Sequence, residues 1–253
     1  MQELNGKTAV VTGASRGIGA ATARELANSG VSVILAARTL NDTNAIAIEI
    51  NQAGGKAIAV QCDVSNYDDV AAAISKCIEE FDHIDILINN AGVIDPIARI
   101  ADSDPKKWSQ VVDVNVKGVY YGLRAAIPVM ESRGSGVIIN LSSGAASGAL
   151  EGWSHYCATK AAVLSLTRCT DKECRENGIR VIGLSPGTVA TDMQIKIKAS
   201  GINPVSQLDP SAHISAEWSA RAIAWLCTEA ASEFCGTDFS LRDKENRKKA
   251  GLI

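Results

Sequence analysis

The sequence predicts an α/β domain, doubly wound, with a mostly parallel central sheet and helices on both faces. Three observations carry this expectation. Short β-rich apolar runs recur at 8–12, 31–36, 57–62, 84–89, 136–141 and 179–184. They are almost continuously apolar rather than alternating, as strands buried on both faces are. Stretches with helical spacing separate them, so strand and helix alternate along the chain.

The first run, "TAVVT", leads directly into "TGASRGIG", Thr12 to Gly19. A glycine turn at the exit of a strand lets the backbone approach a pyrophosphate, whose charge meets the first amides of the next helix. Glycine also serves plain turns and tight helix packing, and Gly13, Gly17 and Gly19 depart from the G-x-G-x-x-G spacing. The second run, "VSVILA", ends at Ala37 and Arg38, with no carboxylate among residues 31–41. An acid in that corner suits free ribose hydroxyls, whereas an arginine suits a 2′-phosphate. Arg16 and Arg38 therefore predict NADP(H), clamped at its phosphate from two sides.

The runs "AIAVQC" and "IDILIN" supply the third and fourth strands, and helical spacing then covers 105–132. The fifth strand, "GVIINL", opens into "NLSSGAASGALEGWSHYCATKAAV", residues 140–163. Tyr156 and Lys160 are four apart in a helical stretch, 154–176, so they share one face a turn apart. An unperturbed phenol titrates near ~10, and a neighbouring ammonium favours its ionised form. That pair makes a proton donor, and Ser143 at the end of the strand is placed to hold a carbonyl oxygen beside it. With a hydride from a nicotinamide, the constellation reduces a ketone.

After the sixth strand, "IRVIGL", residues 186–213 carry three of the six prolines and break the helical period. A long irregular segment in a compact domain reads as a substrate-side lid. The tail "RDKENRKKAGLI" reads as solvated until its last residues. No linker, charge block or repeat divides the chain, so residues 1–253 form one domain.

With 46% hydrophobic residues, 21% charged residues and a net charge of -3, the chain buries a sizeable core and has no basic excess for nucleic acid or an acidic membrane. It has no run near the roughly 20 apolar residues of a membrane span and no export signal at its start. Seven cysteines without a C-x-x-C pair read as free thiols of a reducing cytoplasm. His83, His155 and His213 have no partners at metal-ligand spacing, so no metal is expected.

The chain resembles the short-chain dehydrogenase/reductase family, whose fold is a Rossmann-type doubly wound domain. "TGASRGIG", "CDV" at 62–64, "NNAG" at 89–92, "VNVKG" at 114–118, "LSS" at 141–143, "YCATK" at 156–160 and "SPGTVATDM" at 185–193 fall in the family's order. The resemblance implies that Ser143, Tyr156 and Lys160 are catalytic, with Asn115 holding a water for proton relay. It implies cofactor contacts from Gly13, Ser15, Arg16, Gly17, Ile18 and Gly19 in the turn, and from Arg38, Asp63 and Val64 on the adenosine side. It implies that Asn90, Ala91 and Gly92 line the adenosine side too. Tyr156, Lys160, Pro186, Gly187, Val189 and Thr191 serve the nicotinamide end.

The same resemblance implies an NADP(H)-dependent oxidoreductase interconverting a ketone and a secondary alcohol. It also implies a homotetramer or dimer built through the long helices at 105–132 and 154–176, whereas Arg124, Arg168 and Lys172 on those helices offer the competing reading of a basic surface for an acidic carrier protein. The pattern is most similar to 3-oxoacyl-carrier-protein reductases, which is the alternative function. A rival of another class is a protein that senses NADP(H) without chemistry. Trp153 lies where an apolar substrate packs. The stretch from 234 departs from the family's usual ending, and Asp238 matches a substrate-anchoring acid of sepiapterin reductases, with strand capping or a surface charge as the competing reading.

Overall fold

The computed structural model describes residues 2–253. Each apolar run forms a strand: β1 (Thr8–Thr12), β2 (Ser32–Ala37), β3 (Lys56–Gln61), β4 (Ile86–Asn89), β5 (Gly136–Leu141) and β6 (Ile179–Ser185). A seventh, β7 (Asp238–Ser240), extends the sheet in the order β3-β2-β1-β4-β5-β6-β7, and every pairing is parallel. Three residues with two polar ends are too short for a periodic signal. Pairing with β6 and complete burial of Phe239 make β7 a strand. The sixfold sheet expected from sequence is thus corrected to seven, and the stretch after 234 still closes the sheet edge.

Side chains alternate across each strand, and the two faces collect separate cores. Ala9 and Val11 of β1 point into a cluster with Leu26 of α1 (Gly17–Asn28), Ile50 of α2 (Leu40–Gln52) and Ile223 of α8 (Ala216–Leu226). Val10 points the other way, to Ile74 of α3 (Tyr67–Phe81), Leu123 of α5 (Gly118–Arg133) and Val163 of α6 (Ser154–Cys174). The small α9 (Lys244–Lys249) follows β7, and Ala250 and Leu252 beyond it rejoin the first core, as the apolar end of the tail predicts.

Two helical expectations need refinement. The stretch 105–132 forms α4 (Pro105–Val112) and α5, joined through a π-helical turn at Asp113–Lys117. Residues 186–213 are not wholly irregular, because α7 (Asp192–Ser200) and two 3-10 turns at Pro204–Gln207 and Pro210–Ala212 lie within them. Asn203 and Asp209 cap those turns by accepting from the amides of Val205 and Ser211. Strand order reverses between β1 and β4, and the crevice beyond their carboxyl ends is where such sheets hold ligands.

Candidate active site

At that crevice the glycine turn is held from both sides. Gly13 and Gly17 have φ of +64° and +54°, where a side chain is strained. A Cβ on Gly19 would stand 2.3 Å from the Gly13 carbonyl oxygen. Asn90 Nδ2 donates to the carbonyls of Thr12 (2.8 Å) and Gly13 (3.2 Å), and Thr12 Oγ1 accepts from the amides of Asn90 and Ala91. The turn and the segment after β4 are therefore one braced unit. Helix α1 begins after Arg16 with no side-chain cap, leaving its first amides for an anion. A tight, uncapped cradle of this kind fits a dinucleotide pyrophosphate. Ser15 and Ile18 lie within it, both half-buried.

Arg38 is exposed at the end of β2. Burial pushes the Asp63 carboxyl up, but hydrogen bonds from Ser65 and the nearby Arg38 charge outweigh it, and the net shift is downward. Val64 packs so closely on α5 that a Cβ on Gly118 would be 2.9 Å from its side chain. The Arg16 guanidinium lies 3.0 Å from Asp192 Oδ2, at the start of α7.

The groups that the sequence analysis names as catalytic lie beside the ends of β4 and β5. Tyr156 is buried on α6, and Lys160 Nζ lies one turn on, 5.6 Å from the centre of its ring. Lys160 Nζ donates to the Leu141 carbonyl at 2.6 Å, which pins the ammonium to the end of β5 and leaves it further donors. Ser143 begins a 3-10 turn by accepting from the Ala145 amide. Asn115, in the π-helical turn, accepts from the Val93 amide (2.8 Å) and donates to the Val93 carbonyl (2.9 Å) and Thr159 Oγ1 (3.2 Å). It thereby ties the segment after β4 to α6 beside Lys160. Gly92 lies between them: a Cβ there would be 3.5 Å from Asn115 Oδ1 and 3.8 Å from Lys160 Nζ.

Burial dominates the titration of this pair. It pushes the Tyr156 phenol up to about 12, with the Ser143 hydroxyl acting the other way. It lowers the Lys160 ammonium to about 8, opposed by the charge of Asp238. Burial thus outweighs the lowering of the phenol expected from the Tyr156–Lys160 spacing.

The lid side is built on Val189, which bridges to Ile214, and on Thr191, whose methyl would be 3.2 Å from a Cβ on Gly17. Pro186 and Gly187, the latter at φ +79°, turn the chain out of β6 toward it. Trp153 is buried edge-on against Tyr156, with centroids 5.6 Å apart, in a cluster with Ile94, Ala145 and Ile197. Asp238 is half-buried at the edge of the sheet. It begins β7, and its Oδ2 accepts from Ser185 Oγ at 2.7 Å.

Sequence reasoning missed Thr12, Thr159, Asn140 and Asp192. Thr12 and Asn140 carry a faint signal, as polar residues inside or ending apolar runs. Thr159 and Asp192 act through partners more than twenty residues away and carry none.

The family model of short chain dehydrogenases matches residues 7–201. An uncharacterized oxidoreductase of Staphylococcus haemolyticus is 40% identical over 210 residues, 83% of this chain and 88% of that protein. A 3-oxoacyl-[acyl-carrier-protein] reductase of Synechocystis is 37% identical over 238 residues, 92% of this chain and 94% of the relative. An NAD+-bound xylitol dehydrogenase superposes with a TM-score of 0.87 at 24% identity, covering 94% of this chain and 98% of that one, which shows a shared fold. With a braced glycine turn, a Tyr–Lys pair on one helix and relatives matched over most of its length, the chain belongs to the short-chain dehydrogenase family and is an oxidoreductase of that family.

Proposed function

We propose that the protein is an NADP(H)-dependent reductase interconverting a ketone and a secondary alcohol. The observation that carries this reading is the gathering of Asn115 and Lys160 around Gly92, with the Tyr156 ring beside Lys160 and the Ser143 hydroxyl acting on the phenol. The glycine turn and α1 amides hold the pyrophosphate, Arg16 and Arg38 the 2′-phosphate, Asp63 and Val64 the adenine side, and Pro186, Gly187, Val189 and Thr191 the nicotinamide end. NADPH, when bound, supplies the hydride. Ser143 Oγ and Tyr156 Oη donate hydrogen bonds to the ketone oxygen, and the Tyr156 proton passes to it as the alcohol forms. Lys160, charged below about pH 8, stabilises the phenolate left behind and binds the ribose. Asn115 fixes the backbone beside Lys160, where a water returns the proton.

The name printed for the Synechocystis relative, at 37% identity over 238 residues, favours one second reading, reduction of 3-oxoacyl groups on a carrier protein. A dimer or tetramer fits the half-exposed Tyr120 on α5. A cytoplasmic place fits the free thiols. Among the described residues no helix is long and apolar enough to cross a membrane, and no group of His, Cys, Asp and Glu gathers to hold a metal.

The decisive experiment follows NADPH and NADH oxidation over ketone and 3-oxoacyl thioester panels, with Tyr156→Phe beside the wild type. Loss of roughly 10²–10⁴-fold in kcat with NADPH still bound supports the mechanism. Retained turnover sinks it, and tight NADPH binding without turnover of any substrate by the wild type points to a sensing role.

A further inference from the structure

Beneath α6 the ends of β5, β6 and β7 carry a polar row to which the proposed reduction assigns no role. Asn140, Gly183 and Asp238 lie side by side in register, so their side chains leave the sheet on one face. Asn140 Nδ2 donates to Thr167 Oγ1 of α6 at 3.0 Å, which identifies that face as the one α6 covers. Gly183 puts nothing between its neighbours. A Cβ there would stand 3.2 Å from Asp238 Oδ1, so the carboxylate leans over the bare glycine toward β5. Ser142 follows Leu141, the last residue of β5, whose carbonyl holds the Lys160 ammonium at 2.6 Å. Asp238 Oδ1 and Ser142 Oγ are both buried without a hydrogen-bond partner. Lys160 on α6 and the half-buried carboxylate of Asp238 therefore lie on the same face of the sheet, under a single helix.

We infer that Asp238 is a positioning residue, the half-buried counter-charge that keeps Lys160 an ammonium beneath Tyr156, rather than a substrate contact. A carboxylate so placed is costly unless charges and hydroxyls answer it. Burial raises the Asp238 carboxyl. Ser185 on β6, and Arg168 and Lys160 on α6, act against that, and Asp238 is the acid that supports the charge of Lys160. The inference rests on the roles proposed above for Tyr156 and Lys160.

Asp238→Asn removes the negative charge but keeps the shape. Without it Lys160 loses its proton at lower pH, so the alkaline limb of kcat/KM for ketone reduction moves down by roughly one pH unit. The ratio of kcat/KM at pH 6 to that at pH 8.5 then rises by up to about tenfold. Asp238→Glu, which restores the charge, brings the limb back. A purely structural role lowers activity alike at every pH. If Asp238→Asn does not fold, Ser185→Ala withdraws a hydrogen bond that favours the ionised carboxyl, and a smaller shift in the same direction is expected. An unmoved limb in whichever of these variants folds overturns the inference. Tyr156→Phe separates the two failures: an unmoved limb in an enzyme that Tyr156→Phe silences removes the Asp238 role alone, whereas turnover surviving Tyr156→Phe removes both.

Discussion

Arg16 Nη1 stands 3.0 Å from Asp192 Oδ2, which ties the glycine turn to the first turn of α7 across the mouth of the cofactor crevice. Both side chains are more than half exposed, so the pair is weak and a 2′-phosphate competes for the arginine. Asp192→Asn is expected to tighten NADPH by up to about fivefold and leave NADH unchanged. Arg16→Ala and Arg38→Ala are each expected to weaken NADPH roughly 10- to 100-fold while sparing NADH. Fluorescence titration with both cofactors checks this, and equal changes for the two would remove the 2′-phosphate reading.

The glycine turn has one position with no space at all. A Cβ on Gly19 would meet the Gly13 oxygen at 2.3 Å and Asn90 Nδ2 at 2.5 Å. Gly19→Ala is expected to cost about 1–3 kcal/mol of stability and to abolish cofactor binding. Gly148→Ala, whose nearest contact is an ordinary 3.4 Å, serves as the control and is expected to stay within about 0.5 kcal/mol. Urea unfolding of the two variants distinguishes them.

Three thiols oppose alkaline conditions. Burial pushes Cys62, Cys77 and Cys227 from 9.0 up to about 12 in the folded chain. A raised pKa means that the folded state holds these protons longer than the unfolded one. Their contribution is complete below about pH 9 and is lost as pH rises toward 12. The thermal midpoint is expected to fall between pH 9 and 11. Cys227→Ala is expected to lower the midpoint overall yet flatten that fall.

Trp153 walls off the phenol of Tyr156 edge-on at 5.6 Å. Trp153→Ala opens a cavity, with an expected loss of about 3–5 kcal/mol in stability. It also admits water to Tyr156, whose titration falls from about 12 toward the ordinary phenol range. Ultraviolet difference titration against Tyr156→Phe isolates that one phenol. An unmoved titration in the Trp153→Ala protein would show that another wall desolvates it.

Much of this site is local in the chain. The run "TAVVT" followed by Gly13, Gly17 and Gly19 is read without a structure, because a buried strand and a turn at positive φ each constrain residue type at adjacent positions. Tyr156 and Lys160 are read from a four-residue spacing, since helical geometry alone puts them on one face. Asp238 was harder. Its sequence neighbours mark neither a strand nor a buried acid, and only pairing of β7 with β6 brings it to Ser185 and the space around Lys160.

The sequence by itself therefore determined the alternation of strands and helices, the parallel sheet, the glycine cradle and the Tyr–Lys pair, all of which follow from local period and backbone freedom. The tertiary structure decided the seventh strand, the clasp between Arg16 and Asp192, the hold of Leu141 on Lys160 and the balance of charges around it. Those depend on which distant segments share a dry space, and burial there outweighs the short-range attraction that the spacing of Tyr156 and Lys160 suggests.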